Sequence, residues 1–314
     1  MIGALGTAGR VLAIGIGGGG DVVGALAVAQ LARQLGTETI VGGLTWERRP
    51  IDPLPGPRRL EEISGAQPLN DAVALAGPDA TGPGGFRFAE SHMARHLGEP
   101  VVLLDPSGGP AAVARGLAGA ASELDCDLLV LVDVGGDVLA HGDEPGLASP
   151  VADAVCLAAA PALVDAGLDV QVAVFGAGCD GELTPDEVLE RVAEVAAAGG
   201  HVGTWGPGPA DLERLEAAVA QIPTEASAMA LRCARGATGP TTIRDGRRTV
   251  LLSPVGGMVF FFDALTTLRS AARCAALVEH APSLAQASAI LTERGIASEL
   301  QYEQQPLSPP PDER

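Results

Sequence analysis

The chain has 314 residues, 47% of them hydrophobic, which suffices to bury a full core in one large domain or two modest ones and argues against disorder. Its net charge of −19 disfavours nucleic acid and anionic membrane surfaces as partners. All 20 basic residues are arginine, which excludes Schiff-base lysines and the P-loop lysine.

Val11–Ile16 reads as a strand and Asp21–Leu35 as the helix after it, joined by Gly17-Gly18-Gly19-Gly20-Asp21. The run before the glycines has no basic segment in front of it and is read as strand rather than signal peptide. Thr39–Leu44 is a second strand. The loop Trp46–Pro57 follows, with Arg48, Arg49 and four prolines, and long irregular loops are often functional. Phe86–Leu97 reads as helix and Val101–Leu104 as strand. Ser107-Gly108-Gly109-Pro110 then opens a helix ending near Leu124.

Leu128–Val132 is an unbroken apolar strand of the kind buried on both faces. Ser149-Pro150 is expected to start a helix, with Ser149 as cap and Pro150 in its first turn. Val170–Phe175 is the next strand. Thr184-Pro185-Asp186-Glu187 forms a capping box for a helix to Ala198. Further on, helices are expected over Asp211–Gln221, Thr224–Arg235, Asp263–Val278 and Ser283–Arg294. Thr241–Ile243 and Thr249–Leu252 make a hairpin around Asp245-Gly246.

The alternation of strand and helix predicts an α/β fold: a three-layer, mainly parallel, Rossmann-like sheet with helices on both faces and a C-terminal α+β extension. Residues 1–303 are expected to form a single α/β domain, with 204–303 contributing helices and the hairpin packed on it, and 304–314 a disordered tail. The longest apolar stretches carry Asp153 or Asp263 and are too short to span a membrane. Five scattered cysteines without a CxxC or Cys/His cluster point to a reducing cytoplasm and against a structural zinc site.

Three strand ends deliver glycines and then acids to one sheet edge, where open α/β sheets bind ligands. After the first strand, Gly18, Gly19, Gly20 and Asp21 can line a site, or Asp21 can simply cap the helix. No GxGxxG pattern follows, and Asp21 stands where a phosphate loop avoids negative charge. The second strand leads to Asp133-Val134-Gly135-Gly136-Asp137, with His141, Asp143 and Glu144 close behind. Such a segment can hold Mg²⁺ through Asp133 and Asp137, bind sugar hydroxyls, or supply an acid–base pair such as Asp137 and His141. After the third, Gly178, Asp180 and Glu182 repeat the pattern, although Glu182 is also favourable simply as an acid near a helix start. Trp46 and Arg48 are expected to cap the site, and His201 either joins it or is structural.

At these three motifs the chain resembles the DUF1152 family of uncharacterised archaeal and actinobacterial proteins, over most of residues 10–300. The resemblance implies a shared α/β fold and no mechanism. The residues themselves favour an enzyme acting on a hydroxyl-rich small molecule of nucleoside, nucleotide or sugar type. Its expected chemistry is hydrolysis, elimination or isomerisation by Asp137, His141, Asp180 and Glu182, with Asp133, Gly136 and Gly178 among the binding residues. The alternatives are a noncatalytic metabolite sensor and a dinucleotide-dependent oxidoreductase using NAD(P). The expected partner is a small molecule, with homo-oligomerisation left open.

Overall fold

The structure, a computed structural model, describes residues 3–305. In chain order its strands are β1 (Arg10–Gly15), β2 (Glu38–Leu44), β3 (Ser64–Pro68), β4 (Val73–Thr81), β5 (Val101–Leu104), β6 (Leu128–Val134), β7 (Asp169–Phe175), β8 (His201–Trp205), β9 (Gly239–Ile243), β10 (Arg248–Leu252) and β11 (Val259–Asp263). Nine of them form one sheet in the order β3-β4-β5-β2-β1-β6-β7-β11-β8. The five central strands from β5 to β7 run parallel. Antiparallel β4 and β3 extend one flank, and antiparallel β11 extends the other and carries β8.

Side-chain alternation divides the core into two layers. Leu12, Ile14, Leu129 and Leu131 face the helices Gly109–Glu123, Val151–Ala158 and Ala264–Ser270. Val11, Ala13, Val130 and Val132 face Val22–Gln34, Ala89–Leu97 and Glu225–Ala234. Because both faces are covered, β6 is buried at every residue, which explains its continuous Leu/Val run. This is the expected three-layer α/β architecture. None of the helices among the described residues is long and apolar enough to cross a membrane.

From β1 the chain works outward through β2 to β5 and then returns to β6, on the other side of β1. Connections therefore leave β1 and β6 in opposite directions, and a crevice opens at their carboxyl ends.

The C-terminal portion departs from expectation. Rather than only packing on the sheet, it inserts β8 and β11 into it. The apolar run ending at Asp263 is β11, and Asp263 caps the next helix by accepting from the Thr266 amide at 2.7 Å. That helix ends at Ser270, and a second runs over Arg273–Val278. Ser149 does not cap the helix after it: the helix spans Val151–Ala158, and the Glu299 carboxylate accepts from the Val151 and Ala152 amides at 3.1 and 2.9 Å. Helix Glu299–Gln304 also places order at the start of the expected tail, whose remainder, 306–314, lies outside the described residues.

The capping box at Thr184 forms as read, with Thr184 Oγ1 accepting from the Glu187 amide at 3.2 Å. Thr184→Ala should cost about 1 kcal/mol of stability, the usual worth of such a cap. Urea denaturation checks this, and an unchanged midpoint would contradict it.

Candidate functional site

Two trios of carboxylates meet in the crevice. Oxygens of Asp21, Asp133 and Asp153 lie within 4.8 Å of one another, and so do oxygens of Asp137, Asp180 and Glu182. The trios adjoin: the strongest repulsion on Asp137 comes from Asp153 and then Asp133, both of the other trio.

The backbone fixes each acid. Asp21 stands at the N-terminus of helix Val22–Gln34 but does not cap it. Its Oδ2 instead accepts from the Gly17 amide at 2.9 Å and the Val134 amide at 3.3 Å, tying the turn after β1 to the end of β6. Asp133 closes its own turn, with Oδ2 accepting from Gly136 at 3.0 Å and Val138 at 3.1 Å. Gly135 must be glycine there, since its φ is 149° and a Cβ would overlap the Asp180 carboxyl. Asp180 Oδ1 accepts from the Glu182 amide at 3.0 Å, which leaves Oδ2 free of hydrogen bonds among the described residues. Asp137, 6% exposed, and Asp153, 1% exposed, accept no hydrogen bond from the described residues; Asp153 Oδ1 is buried without any partner.

Burial pushes Asp21 up to about 7, against the Gly17 and Val134 amides and Arg48. It likewise pushes Asp180 up to about 7, with repulsion from Glu182 adding to it. Asp133, Asp137 and Asp153 are held well above the usual carboxylate range by burial first and by their acidic neighbours second. Groups ionising near neutrality can both give and take protons, and carboxylate oxygens suit hard cations or hydroxyl groups.

Other expected residues lie elsewhere or do other work. Glu182 belongs to the second trio, but Oε2 accepts from the Ala148 and Ser149 amides, both at 2.8 Å. Its Oε1 meets the Ser149 hydroxyl and Arg248 at 3.1 Å. No oxygen is left for a reacting group, so Glu182 fastens the loop around Ser149. His141 does not pair with Asp137: its Nε2 lies 2.8 Å from Glu194, on helix Pro185–Ala197. The four-residue spacing failed to predict contact because the short turn Asp137–Leu139 carries the chain onward before His141.

His201 opens β8 opposite Phe262, at the level of Val172, whereas the site lies at the level of Phe175. It bonds Thr204 locally at 3.0 Å. Trp46 is fully buried, donating to Glu303 at 2.9 Å, and so is core rather than a cap. Arg48 does reach the rim. It stacks over Trp46 at 4.3 Å and donates to the Gly17 carbonyl at 2.6 Å, with Glu299 at 3.4 Å and Glu303 at 3.7 Å.

The glycines are mostly packing requirements. A Cβ on Gly18 would press on the Trp46 carbonyl, on Gly20 on Thr224, on Gly136 on Val188 and on Gly178 on Pro185. Gly19 alone among them faces space, with Glu47 as the nearest group.

Asp153 and Glu299 were missed. Asp153 sits inside an apolar run, and an acid placed alone among Val, Ala and Leu was the signal. Glu299 comes from the far end of the chain, so no local pattern connects it to the Val151 helix. Glu47 and Glu90 form another buried acidic pair behind the crevice. Neither oxygen of Glu90 has a partner, while burial and Glu47 raise it well above the usual range. A cleft of about 650 Å³ opens at the opposite edge, where β1 and β2 begin, lined by Arg10, Arg33, Thr37 and Glu38. Its charges pair with each other, Arg10 with Glu38 at 2.7 Å and Arg33 with Glu99 at 3.6 Å.

Fold and site together define an α/β protein with an acidic crevice at the switch point of its sheet. The chain belongs to the DUF1152 family, described as proteins of unknown function, whose model matches residues 12–306. No curated protein and no solved structure matches it.

Proposed function

We propose that this protein is an enzyme acting on a hydroxyl-rich small molecule of nucleoside, nucleotide or sugar type. The reaction is a polar one, hydrolysis, elimination or isomerisation, with Asp137 and Asp180 as its acid–base pair. The observation that carries this reading is the state of those two side chains. Both are buried at the switch-point crevice, and both keep carboxylate oxygens free of hydrogen bonds from the described residues. Substrate hydroxyls are the natural donors for such acceptors. An Asp180 held near about 7 is poised to transfer a proton at neutral pH.

The dinucleotide reading finds little support. The Gly17 amide is taken by Asp21 and the Gly19 amide by the Trp46 carbonyl, while Asp21 and Glu47 would confront a pyrophosphate with negative charge. Five free, buried cysteines fit the cytoplasmic setting expected from the sequence.

The test is a panel of nucleosides, nucleotides and sugar phosphates, scored for thermal stabilisation and, by mass spectrometry, for conversion. Wild type should convert at least one compound, and Asp137→Asn should do so about 10²-fold more slowly while staying folded. Binding without conversion would overturn the enzyme reading in favour of a metabolite sensor. A panel that neither binds nor reacts would overturn both.

A further inference from the structure

We infer that Asp21, Asp133 and Asp153 form a site for one hard divalent cation, Mg²⁺ or Ca²⁺. The inference rests on the crevice being a ligand site, as proposed above, but not on turnover. The decisive residue is Asp153. It is 1% exposed, accepts no hydrogen bond from the described residues and keeps Oδ1 buried and unpartnered, yet its carboxylate is directed at the other two. Its Oδ2 also lies 3.3 Å from where a Gly17 side chain would begin, against the turn that Asp21 holds. Leaving a polar atom in this condition is costly unless something binds it.

The other two acids are prepared as ligands usually are. Each has Oδ2 fastened by two backbone amides, which fixes the carboxylate plane while Oδ1 accepts nothing from the described residues. No arginine or histidine forms an ion pair with any of the three among the described residues, and the chain has no lysine. Arg48, the nearest cation, is already engaged by Glu299, Glu303 and the Gly17 carbonyl. Three carboxylates therefore converge with no ion-pair partner among the described residues, Arg48 acting on Asp21 and Asp153 only from beyond ion-pairing distance.

Their oxygens lie within 4.8 Å of one another. Oxygens at that limit would each stand about 2.8 Å from a common centre, so a small inward rotation brings them to calcium's reach of about 2.3–2.6 Å and a larger one to magnesium's of about 2.1 Å. The all-oxygen donor set favours these ions over zinc or copper.

Two other acid clusters fit less well. In the second trio, Glu182 has both oxygens occupied by amides, Ser149 and Arg248. In the third cluster, His141, Asp143 and Glu144, His141 pairs with Glu194, and Glu144 is held by Arg191 and by the His141 and Gly142 amides.

Mn²⁺ serves as the probe. The full chain, treated with chelator and dialysed, is titrated with Mn²⁺ while the free-ion paramagnetic resonance signal is followed, and Mg²⁺ and Ca²⁺ are then added as competitors to identify the preferred ion. One Mn²⁺ should bind per chain. Asp153→Asn and Asp133→Asn should each weaken binding by about tenfold or more, while Asp143→Asn, in the His141 cluster, should leave it unchanged. If Asp153→Asn fails to fold, Asp21→Asn carries the same expectation. Wild type that leaves the free Mn²⁺ signal unchanged at millimolar concentration overturns the inference, as does binding lost in Asp143→Asn but kept in Asp153→Asn. Mn²⁺ binding beside a silent substrate panel leaves this inference standing and removes the enzyme reading. Conversion of a substrate by wild type that binds no Mn²⁺ does the opposite.

Discussion

Glu182→Ala should destabilise the protein by about 3–5 kcal/mol, whereas Asp137→Asn, a change to a carboxylate within 4.8 Å of it, should stabilise it. The difference lies in what each carboxylate touches. Glu182 is 1% exposed and answers two amides, a hydroxyl and the Arg248 guanidinium. Removing it leaves buried donors without acceptors and an arginine without its counter-ion, and the loss of a buried partner is expensive.

Asp137 answers nothing among the described residues. Folding must either crowd its charge against Asp153, Asp133, Glu182 and Asp180 or hold a proton on it. A neutral amide ends that penalty and offers N–H donors to the surrounding acids. The gain should be seen at neutral pH, where the unfolded chain has released the Asp137 proton while burial and acidic neighbours hold the folded-state pKa up. Urea denaturation of both variants measures the pair. A Glu182→Ala midpoint equal to wild type would contradict the fastening role, and a destabilised Asp137→Asn would make that residue structural.

This opposition could not be read from the sequence, where both acids are the same motif: strand, glycines, carboxylate. The repeat marks what reaches the sheet edge, because a parallel strand ends there and only glycine lets the chain turn under the next strand's side chain, as Gly135 does beneath Asp180. It does not reveal which acid then meets an amide. The central strands were legible for a related reason: burial on both faces demands unbroken runs such as Leu128–Val132. The flanking strands were not. β3 is Ser-Gly-Ala-Gln-Pro and mostly exposed, and β4 contains Gly77 and Pro78, so neither carries apolar alternation. Asp153 and Glu299 reach the crevice from helices of the other layer, a relation set by tertiary packing alone. His141 failed for the converse reason, since nearness in sequence was taken for nearness in space.

Without added cation, stability should be greatest at about pH 4 and fall as pH rises. Asp133 and Asp153, each 1% exposed, are held well above the usual carboxylate range, mainly by burial. Asp21, Asp180, Glu47 and Glu299 are each raised to about 7, again mainly by burial. Above about pH 4 the unfolded chain has lost these protons and the native state keeps them, so the native state binds more protons and stability declines with pH. The decline continues up through the folded-state pKa values and then levels off. Asp21, Asp180, Glu47 and Glu299 place the decline between about pH 4 and pH 7, and Asp133 and Asp153 add to it in the same direction.

At the acid end the sign reverses. Asp127, held below its ordinary range by the Gly9 amide, contributes stability that is lost as pH falls through its folded-state value. The optimum lies between the two effects. Thermal denaturation in chelator-containing buffers across this range tests the prediction, and a Tm that is flat or rises from about pH 5 to pH 8 would mean that the crevice acids ionise freely in the native protein. Because Glu47, Glu90 and Glu299 lie outside the proposed cation site, Asp153→Asn should flatten the slope without abolishing it.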